Sequence, residues 1–237
     1  MPKIISNIQN YGLNIHQPDT GHRFSMDSIL LAQSIIPKNK SRILDLGCGC
    51  GVISMIIARN FPDIYVIGVE IQQSIVEIAK KNVRANDLSG QVRIDHKDIR
   101  MIKGNDYERF QYIVCNPPFR KKYSGRPNHA SEKMIAREET TCNLSDILDV
   151  SRKLLVNQGE LSLIYPSERI CDVLLEMNMK NITPKSLIPI YTKPEHPAKW
   201  GIVKGRLNAQ SGLVIHEGVL AYNAKASFML NTISTNM

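Results

Sequence analysis

Aromatic residues make up only 6% of this 237-residue chain, with Trp200 the single tryptophan. Its five cysteines form no Cys-x-x-Cys pair and its six histidines are scattered. Zinc-ligand spacing is thus missing, and neither a metal centre nor a disulfide framework is expected. No apolar run approaches the roughly 20 residues of a membrane helix. The start, Met1-Pro2-Lys3-Ile4-Ile5-Ser6-Asn7, lacks the apolar segment of a secretory signal, so a cytoplasmic location is expected. Internal repeats and low-complexity tracts are absent too, which excludes a solenoid. Acidic residues are the last shortage: 22 Asp and Glu face 30 Lys and Arg, giving a formal charge of +8. That excess favours a polyanionic partner, nucleic acid first among them.

What the chain does have is an alternation of strands and helices. Residues 1–24 are polar, carry Gly12, Pro18 and Gly21, and read as an irregular arm. Ser25 can cap a helix from Met26 to about Ile36, with Asp27 in its first turn. Strands are expected at Arg42–Leu46, Ile64–Glu70, Gln91–Asp95, Tyr112–Cys115, Glu160–Tyr165 and Ser186–Tyr191. Helices are expected from Val52 to Arg59, Gln73 to Asn86, Leu144 to Val156 and Glu168 to Met177. Trp200–Leu207 and Leu213–Tyr222 read as further strands, and Cys115 and Cys171 as buried small hydrophobes. Such alternation implies an α/β fold with a parallel sheet covered by helices. Ligands of these sheets lie beyond the carboxyl ends of the strands. Gly51, Glu70, Asp98 and Asn116 all fall at such ends, so one rim would gather them.

Each rim residue suits a small, polar, partly planar ligand. Asp45-Leu46-Gly47-Cys48-Gly49-Cys50-Gly51 is a glycine-rich turn that lets backbone touch a ligand where a Cβ would clash. Its Gly-x-Gly-x-Gly spacing departs from the Gly-x-Gly-x-x-Gly of dinucleotide sites. Glu70 stands where a carboxylate can hold two ribose hydroxyls, and Asp98 where one can accept from an adenine amino group. Asn116-Pro117-Pro118-Phe119 follows a buried strand, and its prolines fix their own φ angles and hold Asn116 extended. That ledge offers an amide, undonated carbonyls and a ring to a planar amino group.

Together these motifs resemble the class I S-adenosylmethionine-dependent methyltransferases, and the last one resembles the branch acting on planar nitrogens. Gly21-His22-Arg23-Phe24-Ser25-Met26-Asp27-Ser28-Ile29-Leu30-Leu31-Ala32, Ala136–Thr141 and Glu195-His196-Pro197-Ala198-Lys199 further resemble the tRNA(Val) adenine-N6 methyltransferase family. Trp200 departs from it, standing where a basic residue is expected. The resemblance implies a Rossmann-like, mostly parallel seven-stranded sheet with helices on both faces and an antiparallel C-terminal strand. It divides the chain into an arm and entry helix (1–41), a methyltransferase domain (42–222) and a tail (223–237).

It also implies S-adenosylmethionine as cofactor, held by Phe24, Asp27, Asp45, Gly47, Gly49, Gly51, Glu70, Ile71, Asp98, Ile99 and Asn116. Cys48 and Cys50 are then spacers. Asn116, Pro117 and Phe119 become the catalytic residues, with the Asn116 amide oxygen and Pro117 carbonyl accepting the two N–H groups of an adenine. Arg120, Lys121, Lys122, Tyr123, Arg126, Lys133 and Arg137 would contact tRNA at the anticodon-loop adenosine, position 37. A monomer is expected. Three other readings stay open at this level: methylation of a glutamine amide in a protein, N-methylation of another RNA or DNA, and a non-catalytic binding module. Glutamine-amide enzymes usually carry an added N-terminal helical domain, for which the 41 residues before the first strand leave no room.

Overall fold

A computed structural model of the chain describes residues 4–18, 24–117 and 142–221. Pro118, Phe119 and the basic stretch from Arg120 to Arg137 lie outside the described residues, as do Gly21, His22 and Arg23. The order of elements is β1 (Ile4–Ile8), β2 (Leu13–Gln17), α1 (Met26–Ser34), β3 (Arg42–Leu46), α2 (Val52–Asn60), β4 (Tyr65–Glu70), α3 (Gln73–Ala85), β5 (Val92–His96) and β6 (Phe110–Cys115). Then come α4 (Leu144–Leu154), β7 (Leu155–Pro166), α5 (Ile170–Met179), β8 (Ile182–Tyr191), β9 (Trp200–Leu207), β10 (Val214–Ile215) and β11 (Val219–Leu220).

The seven long strands of the main sheet lie in the order β5-β4-β3-β6-β7-β9-β8. All pairs are parallel except those of β9, which runs antiparallel to both β7 and β8. The reason is local: each of β3, β4 and β6 is almost wholly buried, so both faces need helical cover, which βαβ crossovers supply. One core cluster joins α1, α2 and α3 to the sheet, and a second joins α4 and α5 to the other face. Among the described residues no helix is long and apolar enough to cross a membrane.

Four sequence expectations need correction. The first residues are a hairpin, β1–β2, rather than an irregular arm. Leu213–Tyr222 is broken into the two-residue strands β10 and β11, both parallel to β8 at the sheet edge. His216-Glu217-Gly218 separates them, and a Cβ on Gly218 would lie 2.0 Å from the Tyr191 ring, so the chain at that glycine is fitted against a side chain. Ser25 occupies the N-cap position, yet its hydroxyl donates to the Asp27 carboxylate and accepts from no backbone N–H of the helix. Cys115 is buried as expected, but Cys171 is exposed in the first turn of α5.

Candidate active site

The carboxyl ends of β3, β4 and β6 open into a cavity of about 430 Å³. Its floor is the turn after β3, which is built from three left-handed glycines: Gly47, Gly49 and Gly51, at φ 69°, 55° and 86°. An L-residue with a side chain is disfavoured at each, which is what the alternating glycines provide. The turn is bolted to the neighbouring strand, because the Cys48 N–H donates to the Val69 carbonyl at 3.0 Å. Gly68 makes room for it: a Cβ there would lie 2.8 Å from Cys48 Sγ. Burial raises the Cys48 thiol well above its usual pKa and pushes Cys50 up to about 12. Neither is a thiolate nucleophile at neutral pH. They are packing groups within the loop.

Glu70 closes β4 and is nearly buried. One carboxylate oxygen accepts from the Gly49 N–H at 3.1 Å, the other from the Gln72 N–H at 2.9 Å. Two backbone donors thus fix its plane at the cavity wall while leaving further lone pairs for a ligand. Asp98 follows β5 and caps a short 3₁₀ turn by accepting from the Arg100 N–H at 2.9 Å. The Arg100 guanidinium, 2.6 Å from its second oxygen, holds the carboxyl below its ordinary pKa, so Asp98 enters the wall ionised. Ile71 and Ile99 supply apolar surface beside these two carboxylates.

At the end of β6, Asn116 turns its amide nitrogen toward Ser28 on α1, with Nδ2 donating to Ser28 Oγ at 2.8 Å. The amide oxygen is thereby directed from the opposite edge of the group, where it can accept. Pro117, buried next to it, has no N–H but keeps its carbonyl. Asp27, on the same turn of α1, lines the cavity with Phe24, whose N–H donates to Gln17 of the hairpin at 3.1 Å.

Asp45 is the exception among the expected residues. It does not line the cavity; it is fully buried beneath the glycine turn, accepting from the Ser54 N–H at 3.2 Å and the Ser54 hydroxyl at 2.6 Å. It therefore holds the first turn of α2 against the loop. Burial pushes its carboxyl up to about 7, against the lowering effect of Ser54. Its other oxygen is buried without a hydrogen-bond partner among the described residues. Gly51, likewise behind the wall, is the N-cap of α2.

Phe24, Asp27, Gly47, Gly49, Glu70, Ile71, Asp98, Ile99, Asn116 and Pro117 thus come together in one cavity, although 93 positions separate the first from the last. Phe119 and the seven expected RNA contacts lie outside the described residues. Ser28, Cys142, Ile147 and Trp200 also line the cavity and were not foreseen in any role there. Among the described residues, the charged side chains in its lining are Asp27, Glu70 and Asp98, all acidic. With the orphaned oxygen of Asp45 behind the floor, this donor set fits a ligand bearing cationic groups and hydroxyls and repels an anionic one. Among the described residues no group of three or more His, Cys, Asp or Glu could hold a metal ion.

The model of the methyltransferase small domain family matches residues 20–186. A tRNA1(Val) (adenine(37)-N6)-methyltransferase of Porphyromonas gingivalis is 31% identical over 211 residues, covering 84% of this chain and 79% of its own length. One from Vibrio campbellii is 28% identical over 209 residues, covering 86% of this chain and 85% of its own. Among solved structures, a predicted O-methyltransferase from Agrobacterium tumefaciens superposes with a TM-score of 0.64 at 19% identity, over 82% of this chain and 86% of that one. That last likeness is one of fold.

Proposed function

The chain belongs to the methyltransferase small domain family and is a methyltransferase; from that premise we propose that it methylates the N6 nitrogen of an adenosine in tRNA, at position 37 beside the anticodon. The methyl donor is S-adenosylmethionine. The observation that carries this reading is the juxtaposition of Asn116 and Pro117 with the glycine turn and Glu70 in one acidic cavity. Relatives of similar length named for this reaction support the choice of acceptor.

When bound, S-adenosylmethionine supplies a methyl group already activated on a positively charged sulfur. The protein's share is position and electrostatics. The turn from Gly47 to Gly51 receives the amino-acid part by backbone contact, Glu70 accepts from ribose hydroxyls, and Asp98 with Ile99 frames the adenine. Asp27 and Glu70 add negative potential around a cationic guest. At the acceptor, the adenine amino group is a poor nucleophile because its lone pair is spread into the ring. Asn116 Oδ1 and the Pro117 carbonyl accept its two N–H groups, which draws charge onto the nitrogen. That nitrogen would take the methyl carbon as the carbon–sulfur bond breaks with its electron pair going to sulfur, and would give up one proton to solvent, so no side chain of shifted pKa is required. Holding donor and acceptor in line is worth on the order of 7–11 kcal/mol of barrier. An anticodon-loop base is unpaired, so presenting it costs less than extrusion from a duplex.

The net charge of +8 suits a tRNA partner, and a tRNA substrate sets the compartment as the cytoplasm. The test incubates the protein with methyl-labelled S-adenosylmethionine and total tRNA, followed by nuclease digestion. Label in N6-methyladenosine is expected. Label confined to an added protein acceptor would instead assign a glutamine amide, and label nowhere would leave a binding module.

A further inference from the structure

Along the rim the ligand-facing residues follow the strand order: Asp98 after β5, Glu70 on β4, the glycine turn after β3, Asn116 after β6, then Trp200 at the start of β9. Because β9 is antiparallel, its first residue lies at the same rim as the carboxyl ends of the other strands. On the reading above, the cofactor occupies the β5-to-β3 side and the reacting nitrogen sits at Asn116. Trp200 is then beyond Asn116, on the side away from the cofactor. The register gives its height. Cys115 pairs with Leu163, and Trp200 with Pro166, so Trp200 stands two residues further out than the level of Asn116. Two strand spacings, roughly 10 Å, separate the axes of β6 and β9, which is space for one nucleobase.

Trp200 is fixed there. It pairs with Pro166 on β7 and Ile190 on β8, packs against the core cluster, and lines the cavity. Neighbouring Lys199 is anchored as well, its N–H donating to the Ile190 carbonyl at 2.8 Å and its own carbonyl accepting from the Ser167 N–H at 3.1 Å. The Lys199 ammonium stands 4.5 Å from the indole centroid. An indole that lines the cavity and carries an ammonium over one ring face offers what a nucleotide needs, an apolar surface for the base and a cation for the phosphate.

We propose that Trp200 is the aromatic wall against which the target base is held, and that Lys199 takes the phosphate of the same nucleotide. This rests on the methyltransferase reading of the cavity and adds a specificity residue to it.

As Trp200 is the chain's only tryptophan, its emission reports on this wall alone. The full-length protein, saturated with S-adenosylhomocysteine, is titrated with an anticodon stem–loop of the tRNA that it methylates, and with the same RNA abasic at the methylated position. Quenching by the intact RNA that is absent with the abasic one is expected. In steady-state assays Trp200→Ala lowers kcat/KM for RNA on the order of 10- to 100-fold, the range of a lost base–aromatic contact. Trp200→Phe retains most of the activity, and calorimetry finds S-adenosylmethionine bound by both variants within twofold of wild type. Equal quenching by both RNAs, or weakened cofactor binding in Trp200→Ala with kcat/KM for RNA otherwise intact, overturns the proposal while leaving the methyltransferase reading in place. Failure of the wild-type protein to methylate any RNA overturns that reading, and the proposal falls with it.

Discussion

The amide of Asn116 is oriented by a hydroxyl 88 positions earlier, Ser28 Oγ, at 2.8 Å. A free amide can flip, presenting either its oxygen or its nitrogen to the same spot, and only the oxygen accepts from an amino group. Ser28→Ala removes the partner that holds the amide in the orientation seen, with Nδ2 on the hydroxyl. A drop of about fivefold in kcat is expected, in line with one hydrogen bond of about 1 kcal/mol. Ser28→Thr keeps the hydroxyl and restores turnover. Asn116→Ala removes the acceptor itself and costs about 10²–10³-fold or more in kcat, the scale of one aimed polar group in an active site. In both cases the Kd for S-adenosylmethionine, measured by calorimetry, stays within a few fold. Loss of cofactor binding with unchanged turnover at saturation would remove Asn116 from its assigned place. Asn116, Glu70 and Asp98 were legible in the sequence because each ends a strand, where the topology itself gathers them. Ser28 and Trp200 were not. Ser28 reaches the rim through the packing of α1 across the sheet, and Trp200 through the reversed direction of β9, and neither leaves a local pattern.

Among the elements, the hairpin is held by a device that mimics a strand. Asn82 on α3 and Asn86 at its C-cap, four positions apart, present their side-chain amides to the edge of β2. Asn86 Oδ1 accepts from the Asn14 N–H and its Nδ2 donates to the Asn14 carbonyl, both at 2.9 Å. Asn82 does the same for His16, at 2.8 and 2.9 Å, and donates again to the Cys50 carbonyl in the glycine turn at 3.0 Å. Residues 14 and 16 face the same way along a strand, and 82 and 86 along a helix, so the two periodicities meet. One buried side chain therefore joins hairpin, helix and cofactor loop. Asn82→Ala should cost about 2–4 kcal/mol, since several buried groups lose partners at once. Urea unfolding checks the magnitude, and faster hydrogen exchange at the His16 N–H checks the location; stability within 0.5 kcal/mol of wild type, roughly the scale of an ordinary surface change, would refute it. The irregular arm expected from Gly12 and Pro18 became a hairpin for this reason. Its ordering comes from partners near residue 85, and no window around residue 10 contains them.

Taken whole, the molecule separates its charges: the cavity wall is acidic at Asp27, Glu70 and Asp98, while the chain carries +8 overall. A cationic cofactor and a polyanionic substrate need opposite fields, and they can share one site only if the positive charge lies outside the pocket. The sequence puts a large share of it just after the catalytic ledge, in Arg120-Lys121-Lys122 with Arg126, Lys133 and Arg137, all outside the described residues. If these cations hold phosphates, replacing Arg120, Lys121 and Lys122 together by Ala removes up to three contacts. Each contact to single-stranded RNA contributes about 0.7 to the slope of log K against log salt concentration, so the slope should become shallower by about two. KM for tRNA rises accordingly, while kcat at saturating tRNA and the Kd for S-adenosylmethionine stay near wild type, because the acidic wall that binds the cofactor is untouched. A slope identical to wild type would show that these cations face solvent and that the tRNA is gripped elsewhere. A fall in cofactor affinity would show that the two fields are not separable in the way the wall residues imply.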